Sequence, residues 1–511
     1  MNAPMKVVTA TRPLRGLLGD FAGGTAPDLV VTGVELDSRA VAPGGLFLAV
    51  RGHKSHGLDF AAEALRRGAA AVAWEPAPGV AGPQLPVPAV AVANLGAHAG
   101  EIAARFWRHP SRGRYTMGVT GTDGKSSTAY LVAQALDRLG TPCAYFGTIG
   151  YGRLGALADA SHTTPDPVRL QRLLAEQAEA GAGAYAMEVS SHALDQGRVA
   201  GVEFDTAVLT NVGRDHLDYH GDVASYAAAK RRLFTWPGLR AAVLNRDDAH
   251  GAEWAQALDA HLDVTRYGLG GEPAAHGRYL LGDSLQLHPA GLRLDLRSYW
   301  GEARLDSRLL GRFNAYNLLA ALGALLHQGA PLRDAVAALA ASSTVPGRIE
   351  GFRGPRAAPL VVVDYAHTPQ ALLQVLTNLR AHTPARLWCV FGCGGDRDRG
   401  KRPLMGATAA ELADVAIVTD DNPRSESPAA IVAEILAGVP AALRGKLSVE
   451  HNRARAIEQA VRNAAADDVV LVAGKGHEEY QIYGAERRDF SDRQFVAELL
   501  GVGIGDSGGK A

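Results

Sequence analysis

The chain has 511 residues, 47% of them hydrophobic, and a formal net charge of −1. That length suggests about three domains of roughly 150 residues, each with a full core, and the balanced charge offers no basic surface to nucleic acid and no acidic tail to a basic partner. Three cysteines, Cys143, Cys389 and Cys393, exclude a disulfide framework, and the lack of a signal pattern or of an apolar stretch near the roughly 20 residues of a membrane span predicts a soluble cytoplasmic protein with no membrane partner.

In chain order, Asp37-Ser38-Arg39 and Pro43–Val50 come first. Helix-like segments follow near 60–68 and 95–107, with a Pro/Gly/Val loop at 75–88 between them. His109-Pro110-Ser111 reads as a hinge. An apolar run at 115–119 then enters Val119-Thr120-Gly121-Thr122-Asp123-Gly124-Lys125-Ser126-Ser127. Ala129, Val132, Ala133 and Leu136 continue at helical spacing until Gly140. A strand, a glycine turn and a helix start make a cradle in which backbone N–H groups face an anion. Lys125 can reach terminal phosphates and the Ser126 hydroxyl can hold magnesium. The glycines at 121 and 124 give a shorter turn than the common P-loop. The segment predicts a bound nucleoside triphosphate.

Further apolar runs at 184–187, 207–209 and 241–244 lead into Glu188–His192, Thr210-Asn211 and Asn245–Asp248. Strands alternating with helical patterns predict a mostly parallel sheet with helices on both faces, and ligands at the strands' carboxyl ends. Glu188, His192 and His216 near a triphosphate would suit magnesium, although that ion prefers oxygen; each alone is more often a cap or a core group. By spacing, Lys230 reads as a solvated helix lysine. Asn314, before an Ala/Leu-rich helix, either caps that helix or presents its amide to an adenine edge.

The C-terminal part repeats the pattern with runs at 360–363, 387–391, 415–418, 447–449 and 469–472. After them come Asp364–His367, Gly392–Arg397, Asp420–Arg424, His451–Arg453 and Gly474–Glu478. A dinucleotide-fold-like domain is the natural reading, without the Gly-x-Gly-x-x-Gly that NAD would need. Arg397, Arg399, Lys401 and Arg402 beside Asp421-Asn422-Pro423-Arg424 predict cations converging on an anionic ligand, though Asn-Pro also initiates plain turns. Glu478 would take an ammonium group, so a small zwitterion matches the mixture. Cys389 and Cys393 read as strand and turn residues, and 502–511 as a frayed end. The fold class is therefore α/β in three parts: an N-terminal domain (1–110), a central P-loop-type ATPase domain with a mostly parallel sheet (111–345) and a C-terminal domain (346–511).

Taken together, these motifs resemble the Mur ligase family over nearly the whole chain. The resemblance implies an ATP-dependent amide ligase in peptidoglycan precursor synthesis, with magnesium as cofactor. The subgroup it points to adds a diamino acid to UDP-MurNAc-L-Ala-D-Glu. It assigns Lys125, Glu188, His216 and Lys230 to catalysis. Metal binding would use Ser126, Glu188, His216 and Lys230, the last as a carbamylated lysine (N6-carboxylysine). ATP contacts would come from 119–127, Asn314, Arg348 and His367. The UDP end would meet Leu36, Ser38 and His53, and the muramoyl dipeptide Thr163, Thr164, Ser190, Gln196 and Arg198. The amino-acid pocket would be Arg397, Asp421, Asn422, Pro423, Arg424, Gly474 and Glu478. The Asp-Asn-Pro-Arg form implies meso-diaminopimelate, whose second carboxylate two arginines can clamp; L-lysine and L-ornithine are the alternatives. From another class, a P-loop kinase or regulatory NTPase would turn over ATP without the sugar peptide. Asp123, Ser126 and His162 depart from the family's more frequent Asn or Ser, Thr and Asn. A monomer is expected.

Overall fold

The computed structural model describes residues 10–52, 55–160, 162–258, 262–273, 277–355, 358–383 and 385–504. His53 and residues 505–511 of the expected frayed end lie outside that set. The chain divides into two compact units, one of residues 1–268, 273–280 and 320–335, the other of 269–272, 281–319 and 336–511.

Besides a short antiparallel pair, Arg12–Pro13 with Val30–Val31, the first unit holds two larger sheets. The N-terminal sheet is parallel, with strands β1 (Val34–Glu35), β2 (Leu46–Ala49), β3 (Ala71–Trp74) and β4 (Ala89–Ala91) in that order. Helices α1 (Ala61–Arg66) and α2 (Leu95–Phe106) match the two helical patterns. The larger sheet contains β5 (Tyr115–Thr120), β6 (Cys143–Gly147), β7 (Gly150–Arg153), β8 (Ala184–Glu188), β9 (Thr206–Leu209), β10 (Ala241–Asn245) and β11 (Asp263–Leu269). Their order is β11-β10-β9-β5-β8-β6-β7, parallel except for β7 against β6. β5, β8, β9 and β10 are short apolar runs because both faces are covered; Val119, Met187, Val208 and Val243 are all fully buried. Helices α3 (Lys125–Arg138), α4 (Pro167–Glu179), α5 (Ser191–Asp195), α6 (Leu217–His220) and α7 (Val223–Arg231) fill the connections. The Asp166 carboxylate caps α4, accepting from Val168 N and Arg169 N. Arg172 on α4 reaches Glu35 on β1 at 2.9 Å, tying the two sheets of this unit together.

The second unit begins with an antiparallel pair, β12 (Gly291–Ser298) and β13 (Gly301–Ser307). Its main sheet contains β14 (Glu350–Arg353), β15 (Leu360–Asp364), β16 (Leu387–Phe391), β17 (Val415–Val418), β18 (Leu447–Val449) and β19 (Val469–Ala473). The order is β14-β15-β19-β16-β17-β18, parallel except at β14. Helices α9 (Pro369–Arg380), α10 (Lys401–Leu412), α11 (Pro428–Ala437), α12 (Arg453–Asn463) and α13 (Asp492–Leu500) surround it, and a hairpin, β20 (Tyr480–Tyr483) with β21 (Glu486–Asp489), follows β19. Helix α8 spans Arg312–Gln328. Asn314 is therefore inside the first turn rather than at the cap; its Nδ2 donates to Leu310 O at 2.8 Å and its Oδ1 accepts from Asn317 at 2.9 Å. Among the described residues no helix is long and apolar enough to cross a membrane.

Candidate active site

The phosphate loop joins β5 to α3. Gly121 adopts φ +151 and a Cβ there would run into the Thr210 hydroxyl, so this turn requires glycine. Gly124, φ +82, precedes α3, and no side chain caps the helix start, which leaves its first N–H groups for an anion. The segment after β9 grips the loop. Thr210 Oγ1 donates to Asp123 O at 2.5 Å, Asn211 Oδ1 accepts from Asp123 N at 3.0 Å, and Thr122 Oγ1 accepts from Gly213 N at 2.8 Å.

Two lysines meet beneath this loop. Lys125 Nζ donates to Gly121 O at 3.0 Å and Thr122 O at 2.9 Å; Lys230 Nζ, from α7, donates to the same Gly121 O at 2.7 Å. Lys230 is 1% exposed, which overturns the reading of a solvated helix lysine. Burial, helped by the neighbouring Lys125 charge, pushes its ammonium down to about 6. Burial also lowers Lys125, against the pull of Glu188 and Asp123.

Glu188 ends β8 and is buried. Three donors aim it: the Tyr145 hydroxyl, Thr148 N at 2.9 Å and Thr148 Oγ1 at 3.2 Å. Burial and the adjacent carboxylate hold the Tyr145 phenol well above its usual range, so it stays a donor. Neither Tyr145 nor Thr148 carries a motif that would have singled it out. His216, φ +52, precedes α6; its Nε2 lies 3.4 Å from Asp215. Its ring is 6.2 Å from that of Tyr226, which in turn packs 4.3 Å from Lys230 Nζ and shares a 3.1 Å hydrogen bond with Thr122. His192 packs against His216 at 4.7 Å.

The residues expected to hold the dipeptide gather at the end of β8. Thr164 Oγ1 donates to Glu188 O at 2.9 Å, and Arg198 Nη1 donates to Thr164 O at 3.0 Å. Gln196 Oε1 accepts from Arg198 Nε at 2.9 Å, and Thr163 Oγ1 is 3.1 Å from Thr148 Oγ1. Ser190 caps α5 through Ala193 N. Leu36 and Ser38 lie just after β1, where Asp37 accepts from Arg39 N at 2.9 Å.

In the second unit, Arg348 and His367 flank Tyr365, at 5.0 and 4.6 Å from its ring. Asn314 bonds instead within its own turn. The turns after β16, β17 and β19 form another cluster. A Cβ on Gly394 would lie 2.9 Å from Arg424 Nη1 and 3.8 Å from Arg397 Cγ, so both arginines border this glycine. A Cβ on Gly474 would lie 2.7 Å from Asp421 Oδ2. Asn422 Nδ2 donates to Glu478 Oε2 at 3.1 Å, and the fully buried Lys475 reaches Glu478 at 3.2 Å and Asn422 Oδ1 at 3.3 Å. Lys475 lies inside the Gly474–Glu478 motif, which gave it no role of its own. The expectation that four further cations converge here is corrected. Arg399 pairs with Glu434, Arg402 is buried against Glu426 and Glu434, and Lys401 donates to His367 O. Of that group Arg397 borders the cluster with Arg424, because Glu426 and Glu434 take Arg399 and Arg402 and a backbone carbonyl takes Lys401. Cys389 and Cys393 are buried, Cys393 Sγ lying 3.6 Å from Met405 Sδ, and among the described residues no three His, Cys, Asp or Glu side chains are spaced to hold a metal alone. Magnesium held by one or two protein oxygens plus phosphate needs no such cage, and the Ser126 hydroxyl with the Glu188 carboxylate supplies that donor type.

A glycine-turn phosphate cradle on a mostly parallel sheet, with a second mostly parallel sheet bearing a charged side-chain cluster at its strand ends, defines an α/β nucleotide-dependent enzyme. Three family models match the chain in order: Mur ligase family, catalytic domain (30–107), Mur ligase middle domain (119–325) and Mur ligase, glutamate ligase domain (347–476). The chain belongs to the Mur ligase family, and is a ligase. It is 51% identical over 497 residues to the UDP-N-acetylmuramoyl-L-alanyl-D-glutamate--2,6-diaminopimelate ligase of Alkalilimnicola ehrlichii, covering 96% of this chain and 98% of that one. The protein of the same name from Pseudomonas aeruginosa is 51% identical over 473 residues, covering 93% and 96%. A solved structure of a ligase with that name superposes with a TM-score of 0.76 at 36% identity, over 96% of this chain and 99% of the other.

Proposed function

We propose that the chain uses ATP to add meso-diaminopimelate to the D-glutamate side-chain carboxylate of UDP-MurNAc-L-Ala-D-Glu, a step in peptidoglycan precursor synthesis, and that it acts as a cytoplasmic monomer. The observation that carries the reading is the Gly121 carbonyl shared by Lys125 and Lys230 under a phosphate loop. A carboxylate is a poor electrophile and must meet another anion, the γ-phosphate, before it can be activated; fixed cations make that approach possible. Lys125 offsets the charge of the γ-phosphate while the substrate carboxylate attacks phosphorus and ADP leaves. The amine held by the C-terminal segment then attacks the acyl phosphate carbon, and phosphate departs. Ser126 and Glu188 would hold magnesium, which when bound screens the phosphate charge.

Lys230 contributes differently. An amine pushed to about 6 is largely neutral at pH 8. It can add to carbon dioxide and lose a proton, giving a carbamate whose negative charge suits a second cation beside His216. Thr163, Thr164, Ser190, Gln196 and Arg198 would hold the dipeptide, and Leu36, Ser38 and His53 the UDP end. Asn314, Arg348 and His367 would complete the ATP contacts. The division of labour follows three segments, 1–110, 111–345 and 346–511. Arg397 and Arg424 on either side of Gly394 favour the diamino acid with a second carboxylate, since L-lysine would leave that charge unpaired.

The test is ADP release with UDP-MurNAc-L-Ala-D-Glu and a panel of meso-diaminopimelate, L-lysine and L-ornithine. Diaminopimelate should support turnover and the others should not; preference for L-lysine or L-ornithine would refute the amino-acid assignment, and ADP release without sugar peptide would favour a regulatory NTPase. Lys230→Ala should abolish turnover, with partial recovery in added short carboxylates; full activity of the variant would remove the role given to Lys230.

A further inference from the structure

The cluster assigned to the incoming amino acid is assembled from turns that bond to one another. Asp396 and Arg424, in the turns after β16 and β17, both adopt left-handed backbone, at φ +53 and +54. Side chains with a Cβ rarely occupy that region without help from their surroundings. The two turns touch: Gly395 N donates to Asn422 O at 2.9 Å, and a Cβ on Gly395 would run into the Pro423 carbonyl. Asp396 accepts from Ser425 Oγ at 2.6 Å and from Ser425 N at 3.2 Å. The Arg424 backbone is pinned by β20, with its N–H on Ile482 O at 3.0 Å, and its Nη1 donates to Gly395 O at 2.8 Å.

Glu426 adds the bond that is itself anchored from the buried side. Its Oε1 accepts from Asp396 N at 2.6 Å. Glu426 in turn is held by Arg402 on α10, which is fully buried. Arg402 grips both carboxylate oxygens, at 2.9 and 2.7 Å, places Nη1 on Glu434 at 2.8 Å and Nη2 on Gly394 O at 3.3 Å. The planar fork of a guanidinium makes this paired grip, and an ammonium cannot reproduce it.

We propose that Arg402 is the positioning residue of the amino-acid pocket: through Glu426 it holds the 394–396 turn, and with it the Gly395 carbonyl on which Arg424 Nη1 rests, so that Arg424 presents its guanidinium to the distal carboxylate of the diamino acid. The proposal rests on the reading of that pocket given above. Arg402 itself meets no substrate, so its loss acts on one substrate of three.

The experiment measures kcat and the KM of diaminopimelate, ATP and the sugar dipeptide for the full chain and for Arg402→Met, Arg402→Lys, Glu426→Ala and Arg424→Asn. Arg402→Met and Arg402→Lys should each raise the diaminopimelate KM about tenfold or more, with the other two KM values within about twofold. Glu426→Ala leaves Arg402 paired with Glu434, so it keeps the buried charge neutralised and carries the test should Arg402→Met fail to fold. A diaminopimelate KM unchanged in Arg402→Lys or Glu426→Ala, or three KM values rising together, would overturn the proposal. Arg424→Asn separates the two levels, since asparagine tolerates left-handed backbone. If it leaves the diaminopimelate KM untouched, the pocket reading fails; if it raises that KM while the Arg402 variants do not, the pocket stands and the positioning role falls.

Discussion

Arg453 and Asp492 offer a sharp test of how the second unit is held together. They are the first residues of α12 and α13, and both are fully buried. Arg453 Nε and Nη2 each reach an Asp492 oxygen at 2.7 Å, and Nη2 also donates to Ala473 O, the last residue of β19, at 2.9 Å. Nη1 has no hydrogen-bond partner among the described residues, and beyond Asp492 only the more distant Asp421 and Glu478 charges favour the cation. Asp492→Asn leaves that cation buried with one carbonyl and an amide. Breaking such a pair on one side should cost about 3–5 kcal/mol. For a unit of this size that is a fall in Tm of roughly 6–20 °C. Replacing both partners, as Arg453→Met with Asp492→Leu, removes the uncompensated charge and should recover most of the loss, because apolar pairs of similar volume are often as stable as buried ion pairs. Urea unfolding followed by the fluorescence of Trp388, on β16, in a background where the other five tryptophans are phenylalanine, reads the unit. The reasoning is refuted if Asp492→Asn unfolds within about 1 kcal/mol of the parent, or if the double variant is no more stable than the single one. The double variant should still bind diaminopimelate less well, since Ala473 O, just before Gly474, loses the donor that fixes it.

Two further outcomes are expected. His327 accepts at Nδ1 from Arg278 and so donates from Nε2 to Thr265 Oγ1 at 2.8 Å; it is neutral, and burial followed by the Arg278 charge pushes it down to about 4. The folded state therefore binds fewer protons than the unfolded chain between pH 6.5 and about 4, so stability is full above 6.5 and falls as pH drops to 4, by about 2–3 kcal/mol at most; urea midpoints across that window should fall more steeply for the parent than for His327→Gln, and parallel curves would contradict this. Gly121→Ala drives a methyl into Thr210 and Asn211 and should displace the phosphate loop, lowering ATP-dependent turnover by about 100-fold; calorimetric ADP binding that matches the parent would count against the cradle.

Strand positions were legible where both faces are buried. The run at 360–363 became Leu360–Asp364, and that at 469–472 became Val469–Ala473, because apolar residues without alternation fit only a covered parallel strand. β7 was not legible: Gly150-Tyr151-Gly152-Arg153 has the composition of a turn and is a strand only because β6 pairs with it. β20 and β21 escaped for a similar reason, being a short polar hairpin with an exposed second strand. At the candidate site, the residues proposed to touch ligand are legible as polar groups after apolar runs. Those that aim them do not. Tyr145 reaches Glu188 across 43 positions and Lys475 reaches Asn422 across 53, and neither spacing leaves a mark in the sequence. Charge alone also misled: Arg399, Arg402 and Lys401 look like Arg397 until Glu426 and Glu434 are seen to claim two of them.

That misreading has a physical basis. A loop leaving the end of a parallel strand carries backbone groups that no sheet satisfies, and it must still hold a side chain to a fraction of an ångström. Packing alone cannot aim such a loop, because it is open to solvent on the ligand side. A buried charge pair can, since its hydrogen bonds have direction and its rupture is costly. Arg402 with Glu426 behind the 394–396 turn, Arg453 with Asp492 behind Gly474, and Lys475 with Glu478 beside Asn422 follow this arrangement. Each puts a cation without solvent exposure behind residues that the proposed function assigns to the ligand. A count of cations near a strand end therefore overstates the charge offered to substrate, and burial decides which of them belong to the scaffold.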